Sequence, residues 1–324
     1  MSKNLSQRFD ALHEALKLDP GEYARAIAAH KRLDLILLGS GLVKATRLQG
    51  SFARKTMLPP LKDIDKIVEL NDDLVAEFHV PGGPQLAMRR LQAVLEPKFQ
   101  GAKFEVKRHA LCIELPGDGF DFDAVPAFNS PDGSKWVAIA DTEDDRWEPS
   151  STYLLIDAVA ERNQLCVGRF VHQVRMIKQA VRNANLDLPG LHIESFAYAA
   201  INSRLDHADA VAAALNTAAT MIRGSYTDPT GTDFIDRRLT AEQRAKATTG
   251  LRLLADQANE AQRLSAEGRE GAATHIWADI FGDAFPRLAD EKGFLASLHA
   301  GAGLGHSGRP GSSSPTPPTR AWRP

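Results

Sequence analysis

Charged and apolar residues alternate along residues 63–70, in the order Asp, Ile, Asp, Lys, Ile, Val, Glu, Leu. Alternation with a period of two is typical of a strand that buries one face, so this segment predicts a β-strand. Four other runs have strand-like patterns, and the first of them, which precedes this segment, ends in a Gly-Ser turn. They cover residues 46–51, 104–115, 120–125 and 135–140.

Helical spacing of apolar residues dominates the rest of the chain. It covers residues 10–43, interrupted at Pro20-Gly21, and residues 84–99. From residue 151 onward the pattern is helical throughout, with segments at 193–205, 209–222 and 240–264, and with Phe170, Val174 and Ile177 on one shared helix face. The sequence therefore predicts an α+β protein in which a mixed sheet with helices precedes an α-helical lobe.

Three regions follow from this pattern. Residues 1–150 form the mixed core with its N-terminal helical segment, and residues 151–298 form the helical lobe. The last 24 residues contain five Gly, five Pro and four Ser. That composition predicts a disordered tail over residues 299–324.

Composition narrows the classes of protein. The 324 residues carry 39 Lys and Arg against 41 Asp and Glu, a formal net charge of -2. This balance disfavours a protein that coats nucleic acid, so no stable nucleic-acid partner is expected. Two cysteines, Cys112 and Cys166, exclude a disulfide scaffold and fit a reducing compartment. The N-terminus lacks the apolar core of a signal peptide, and the longest uncharged stretch, residues 210–222, is too short for a bilayer. We expect a cytoplasmic protein without a membrane partner.

Paired aspartates carry the clearest chemical signal. Asp63 and Asp65 lie two residues apart on one predicted strand, so their carboxylates project from the same face. Such a pair is costly unless a cation neutralises it, and Mg²⁺ prefers hard oxygen ligands. A third carboxylate from a neighbouring strand would complete a site for two metal ions about 3.5–4 Å apart. Asp121 and Asp123 both satisfy this geometry, and a solvated strand face is the plain alternative for the whole group.

Gly50 and Ser51 precede this strand and predict a tight turn. Glycine allows the backbone to turn sharply, and the turn amides and the Ser51 hydroxyl are suitable donors to phosphate oxygens. Alone the dipeptide means little, but its position before the aspartate pair suggests phosphate binding beside a metal site.

These motifs together resemble the polymerase-β-like nucleotidyltransferases, and specifically the bacterial relatives of oligoadenylate synthase and cyclic GMP-AMP synthase, the CD-NTases. In the helical half, residues 174–178, 188–195 and 277–282 add to the likeness, which spans roughly residues 10–290. The motifs of the first half are Gly50-Ser51-Phe52, Asp63-Ile64-Asp65 and Phe122-Asp123-Ala124-Val125-Pro126-Ala127.

The resemblance implies a fold, an activity and a set of residues. The active site would lie in the cleft between a nucleotidyltransferase core and a helical lobe. The enzyme would convert ribonucleoside triphosphates into a cyclic di- or trinucleotide second messenger, release pyrophosphate, and serve antiphage signalling. Asp63 and Asp65 would hold two Mg²⁺ or Mn²⁺ ions, and the resemblance favours Asp123 as the third ligand, facing the attacking hydroxyl.

A basic stripe on one predicted helix adds a partner for the triphosphate. Arg175, Lys178 and Arg182 share one side of that helix, although an ordinary solvated helix face would show the same spacing. The resemblance implies that Lys178 grips the terminal phosphates and that Ser195 contacts the nucleotide. It also implies that an activating protein partner can control the enzyme.

Two other functions remain open at this stage. One is a tRNA CCA-adding or poly(A)-type RNA nucleotidyltransferase on the same core, which the net charge of -2 disfavours. The other is a catalytically silent module that binds nucleotide or protein, which a missing carboxylate would favour.

Overall fold

The structure is a computed structural model that describes residues 3–287. The expected disordered tail, residues 299–324, lies outside the described residues. Among residues 3–287 no helix is both long enough and apolar enough to cross a membrane. The described strands are β1 (Val43–Leu48), β2 (Asp63–Leu70), β3 (Lys103–Val106), β4 (Leu111–Glu114), β5 (Asp121–Asn129), β6 (Val137–Asp141) and β7 (Arg146–Ser150).

Helices flank this sheet and make up the second half of the described chain. They are α1 (Lys3–Ala15), α2 (Pro20–Leu38), α3 (Gly50–Ala53), α4 (Val75–Phe78), α5 (Gly83–Leu95), α6 (Thr152–Leu165), α7 (Phe170–Asn183), α8 (Gly190–Ala200), α9 (His207–Met221), α10 (Ala241–Ala266) and α11 (Glu270–Phe281). The fold class expected from the sequence, a mixed sheet with helices followed by a helical lobe, is confirmed.

The strands form one mixed sheet in the order β1-β2-β5-β4-β3, and β6 joins the far end of β5 and pairs with β7. Strands β2 and β5 run parallel, with Asp63 opposite Asp121 and Asp65 opposite Asp123. The other strand pairs of this sheet are antiparallel. The parallel pair at the centre therefore brings the two Asp-x-Asp segments side by side.

The two faces of β2 differ in what covers them. Ile64, Val68 and Leu70 are fully buried in an apolar core that α2 and α5 share with the sheet. Because side chains alternate along a strand, Asp63 and Asp65 project from the opposite face. One face thus anchors the sheet, and the start of the other face carries the two aspartates, whereas Ile67 further along that face is buried.

A second apolar core fills the helical half of the chain. It contains Val174 and Ile177 of α7, Phe196 of α8, and Trp277 of α11, all of them fully buried. Helix α1 contributes Phe9 to this same core, although α1 precedes the sheet in the chain.

Candidate functional site

Four aspartates line one face of the central parallel strand pair. The register puts Asp63 beside Asp121 and Asp65 beside Asp123. Asp63 is exposed at the start of β2, whereas Asp65 is half-buried one step further in. Adjacent parallel strands lie ~4.8 Å apart, so these carboxylates face one another across a short distance.

The charges of these aspartates act on Asp65. Burial first, and then the charges of Asp63 and Asp123, raise the pKa of its carboxyl to about 6, against the opposing charge of Arg54. The pKa of Asp121 is also raised, first by burial and then by Glu114. A bound divalent cation would relieve this repulsion. The donor set is made of hard carboxylate oxygens, so the residues fit Mg²⁺ or Mn²⁺.

Asp123 has a basic partner of its own. The Lys107 ammonium donates to Asp123 Oδ1 at 3.0 Å, and Cys112 lies opposite Asp123 on β4. Burial works to lower the pKa of Lys107, but the hydrogen bond and charge of Asp123 raise it overall. Lys107 therefore serves as the counter-ion of Asp123 in this conformation.

Among the described residues, a different group of side chains lies close enough together to be considered as metal ligands. His109, Asp141 and Glu148 each offer a ligand atom within 4.8 Å of the others. The buried Asp141, however, already accepts from Arg108 Nε at 3.2 Å, from another Arg108 nitrogen at 2.8 Å, and from the amides of Glu143 and Asp144 at 3.1 Å. These bonds occupy both carboxylate oxygens of Asp141 and stabilise the turn between β6 and β7. We therefore assign no metal to this group of residues.

The turn at Gly50 is fitted to Asp65. Gly50 has a φ of +65°, in the left-handed region, and a Cβ there would lie 1.7 Å from Asp65 Oδ2. Any side chain at this position would displace the Asp65 carboxylate. The amide of Gln49 donates to the Asp65 carbonyl at 2.9 Å and so holds the turn against β2.

A cavity of about 200 Å³ opens beside this turn. Ser51 and Asp63 line it from the core, and Lys178 and Arg182 line it from α7. Arg182 also donates to the Pro59 carbonyl at 2.8 Å, and this hydrogen bond connects the two sides of the cavity. The cationic side chains of α7 and the serine hydroxyl are suited to bind a polyanion such as a polyphosphate, and the carboxylate is suited to bind a metal ion that accompanies it.

A buried ion network extends from this cavity into the helical half. Lys178 Nζ donates to Glu194 Oε1 at 2.7 Å, and Arg54 Nε donates to Glu194 Oε2 at 2.6 Å. The Thr56 hydroxyl donates to the same Oε1 at 2.7 Å. The carboxylate of α8 thereby joins the segment after Gly50-Ser51 to α7.

Two further residues considered from the sequence lie elsewhere. Ser195 is 3% exposed and its hydroxyl donates to the Leu191 carbonyl at 2.9 Å, one turn earlier in α8. Arg175 is buried against α1, where it donates to the Leu16 carbonyl at 3.4 Å. The structure thus brings Ser51, Asp63 and Lys178 to one cavity. Gly50 lies against Asp65, which is paired with Asp123 on the neighbouring strand, whereas Ser195 and Arg175 lie apart.

Sequence analysis did not place Arg54, Thr56 or Glu194 in the site. Each comes from a different part of the chain, and no spacing pattern groups them. The one available signal is that Glu194 is the only carboxylate in a mostly apolar helix, which implies a buried partner.

The sequence was also compared with known proteins. Residues 3–163 match the model of the Second Messenger Oligonucleotide or Dinucleotide Synthetase domain. No curated protein matches the chain.

Solved structures of bacterial enzymes share the fold. E. coli MS115-1 CdnC with ATP has 18% identity and a TM-score of 0.68, over 88% of this chain and 99% of that chain. Bradyrhizobium diazoefficiens CD-NTase CdnG with GTP has 18% identity and a TM-score of 0.65, over 93% and 100% of the two chains. Vibrio cholerae DncV, a cyclic AMP-GMP synthase, has 16% identity and a TM-score of 0.57, over 75% and 70%. At these identities the similarity shows a common fold.

Proposed function

Because this chain belongs, through residues 3–163, to the Second Messenger Oligonucleotide or Dinucleotide Synthetase family, we propose that it joins ribonucleoside triphosphates into a cyclic di- or trinucleotide. One observation carries the proposal: Asp63 and Asp65 stand in register with Asp121 and Asp123, next to a cavity that Ser51 and Lys178 also line. A carboxylate cluster beside cationic and hydroxyl groups is the donor set that phosphoryl transfer requires.

Each residue has a proposed task. Asp63, Asp65 and Asp123 hold Mg²⁺ or Mn²⁺, and the bound cations neutralise phosphate charge and favour ionisation of the attacking hydroxyl. Asp123 must exchange Lys107 for the cation. The Gly50-Ser51 turn donates to phosphate oxygens, and Lys178 binds the terminal phosphates from α7.

In the proposed reaction a ribose hydroxyl oxygen attacks the α-phosphorus of a second triphosphate. The bond between the α-phosphorus and the oxygen that bridges to the β-phosphate breaks, pyrophosphate leaves with that oxygen, and the hydroxyl proton passes to solvent. Since the step depends on positioning and charge stabilisation, the residues need not form a covalent intermediate. A second transfer within the linear product closes the ring.

The setting of the activity is part of the proposal. Its substrates are cytoplasmic metabolites, and a cyclic nucleotide released there acts as a signal, which we propose serves antiphage defence. E. coli MS115-1 CdnC forms a complex with a HORMA protein. We propose that an activating protein partner likewise controls this chain.

The experiment is a product assay on the full chain. The protein is incubated with all four labelled ribonucleoside triphosphates and Mg²⁺ or Mn²⁺, and phosphatase-resistant products are resolved. Asp65→Asn keeps the side-chain shape and removes the charge, so we expect product formation to fall by at least ~10³-fold. Asp256→Asn is the matched control, because Asp256 is exposed on α10 and pairs with Arg252.

Retained turnover in Asp65→Asn would contradict the proposed site. Long phosphatase-sensitive chains would instead indicate a polymerase. If the wild-type protein binds triphosphate and metal but makes no product with any partner added, the chain is a binding module.

A further inference from the structure

Glu194 is a buried carboxylate that the proposed chemistry does not use. Its side chain is 1% exposed on α8, a helix whose neighbouring residues are apolar or small. A charge at such depth is costly unless hydrogen bonds and opposite charges compensate it. The groups that form hydrogen bonds and ion pairs with Glu194 therefore indicate its role.

Both carboxylate oxygens of Glu194 are fully engaged by groups that border the site. Oε1 accepts from Lys178 Nζ at 2.7 Å and from the Thr56 hydroxyl at 2.7 Å. Oε2 accepts from Arg54 Nε at 2.6 Å. Lys178 Nζ also lies 3.3 Å from the Thr56 hydroxyl, so the ammonium is held from two directions.

The network keeps an excess of positive charge at the cavity. Two cations share one carboxylate, and Lys178 and Thr56 line the cavity while Glu194 lies behind them. An ammonium has three donors, and two are used by Glu194 and Thr56, so the third remains for a ligand. Gly190 leaves room for this arrangement, since a Cβ there would lie 3.1 Å from Lys178 Nζ.

Glu194 and its cationic partners favour one another's charged forms. Burial lowers the pKa of Lys178, and the charge and hydrogen bond of Glu194 oppose that effect. Burial would likewise raise the pKa of Glu194, but Arg54 and Lys178 lower it overall. The carboxylate thus stays ionised and favours the charged form of the ammonium against the effect of burial.

We propose that Glu194 is a positioning residue, which orients Lys178 from α7 and Arg54 from the segment after Ser51 toward the terminal phosphates of a bound triphosphate. The proposal rests on the proposed function for the identity of the ligand. It assigns to α8 the role of fixing the distance between the Gly50-Ser51 turn and the lysine that faces it. Glu194 itself does not touch the substrate.

The test measures binding of inorganic tripolyphosphate, a probe that needs neither a base nor turnover. Glu194→Gln preserves shape but introduces an amide donor that must face either Lys178 or Arg54, so one cation is displaced. We expect its dissociation constant for tripolyphosphate to rise by at least about tenfold. Glu194→Asp keeps the charge but is one methylene shorter, and should restore part of the affinity.

A double-mutant cycle separates positioning from general damage. Lys178→Met alone should weaken binding about as much as Glu194→Gln, and the double variant should be weaker than the worse single variant by less than about threefold, because both act through one contact. Effects that multiply in the double variant, or an affinity of Glu194→Gln within twofold of the wild type, would overturn the proposal.

Glu69→Gln is the matched control. Glu69 is 2% exposed on β2 and is bonded to Arg47 at 3.0 Å and Tyr153 at 2.7 Å, away from Lys178. The variant loses the same charge from a buried carboxylate and should leave tripolyphosphate affinity within twofold. An equal loss in this variant would show a non-specific effect and overturn the positioning role.

A milder variant covers the case in which Glu194→Gln does not fold. Thr56→Val removes one hydroxyl that donates to Glu194, and we expect binding about threefold weaker; unchanged affinity would count against the network. The assay also separates the two proposals. Glu194-dependent tripolyphosphate binding without any nucleotide product refutes only the proposed function, whereas normal product formation and binding by Glu194→Gln refutes only the positioning role.

Discussion

Asp63, Asp65 and Asp123 share a sheet face, but their surroundings differ. Asp63 is exposed, and Asp123 has Lys107 as a counter-ion at 3.0 Å. Asp65 lies deeper, against Gly50, and its pKa is raised to about 6 by burial and by the other two carboxylates. The ionised form of the carboxylate cluster is therefore disfavoured mainly at Asp65. Its ionisation lowers the folding stability of the metal-free protein, and a bound cation would restore that stability.

The raised pKa of Asp65 gives a stability profile with a defined sign. The folded protein binds the Asp65 proton more tightly than the unfolded chain does, so metal-free stability falls as the pH rises from about 4 through about 6. Above that range the loss is at most ~3 kcal/mol. In EDTA, Asp65→Asn should be more stable than the wild type at pH 7.5, and the difference should close as the pH approaches 4.

Thermal unfolding across this pH range measures the effect. Mg²⁺ should raise the melting temperature of the wild type at pH 7.5 and have little effect on Asp65→Asn, whereas Asp256→Asn should behave as the wild type. A variant that is less stable than the wild type at pH 7.5 in EDTA would contradict the charge assignment.

The residue pattern alone predicted part of this site. Asp63 and Asp65 share a face because they are two apart on one strand. The choice between Asp121 and Asp123 could not be made from geometry, since the register gives each of them a partner on β2. The Arg54-Glu194 pair joins residues 140 positions apart. Such a pair depends on the packing of α8 against the core, which no local spacing records.

At the scale of elements, alternation predicted β2 with the observed bounds, and other elements differ for identifiable reasons. The run at 104–115 is a hairpin of β3 and β4, because the amide of Lys107 bonds to the Ala110 carbonyl and turns the chain. Pro20 begins α2 as well as interrupting the helical pattern, since Asp19 caps the helix. Strand β7 was not predicted, because Pro149 and its polar neighbours suit an edge strand.

Helix α1 provides a test of how elements from distant parts of the chain form one core. Phe9 is fully buried, with ring centroids 5.2 Å from Trp277 and 5.3 Å from Phe285. Phe9→Ala should reduce the free energy of unfolding by about 3–5 kcal/mol, as expected for a large side chain deleted from a core. Urea denaturation measures this loss.

Leu35→Ala is the control, because Leu35 is 76% exposed on α2. It should change the free energy of unfolding by less than about 0.5 kcal/mol. A loss for Phe9→Ala as small as that of the control would show that α1 is not part of the helical core.

At the scale of the molecule, the described residues form two large apolar cores, and the sequence carries a formal net charge of only -2. One core holds the sheet and α2, the other holds α1 and the helices after residue 151. The Glu194 network and the cavity lie where segments of the two cores meet. The net charge of -2 is compatible with cations gathered at one small site and not with a long basic track.

This charge distribution separates a cyclic nucleotide synthase from an RNA-extending enzyme. Binding of RNA rests on many phosphate contacts, and each contact needs a cation at the surface. At 150 mM salt we expect tRNA and oligoadenylate to bind no more tightly than ~10 µM, in the range of non-specific binding. A labelled primer should stay unextended under conditions in which the same protein sample makes phosphatase-resistant product. Primer extension that is abolished by Asp65→Asn would place the same carboxylates in an RNA polymerase, because the metal chemistry of the two reactions is common and only the acceptor differs.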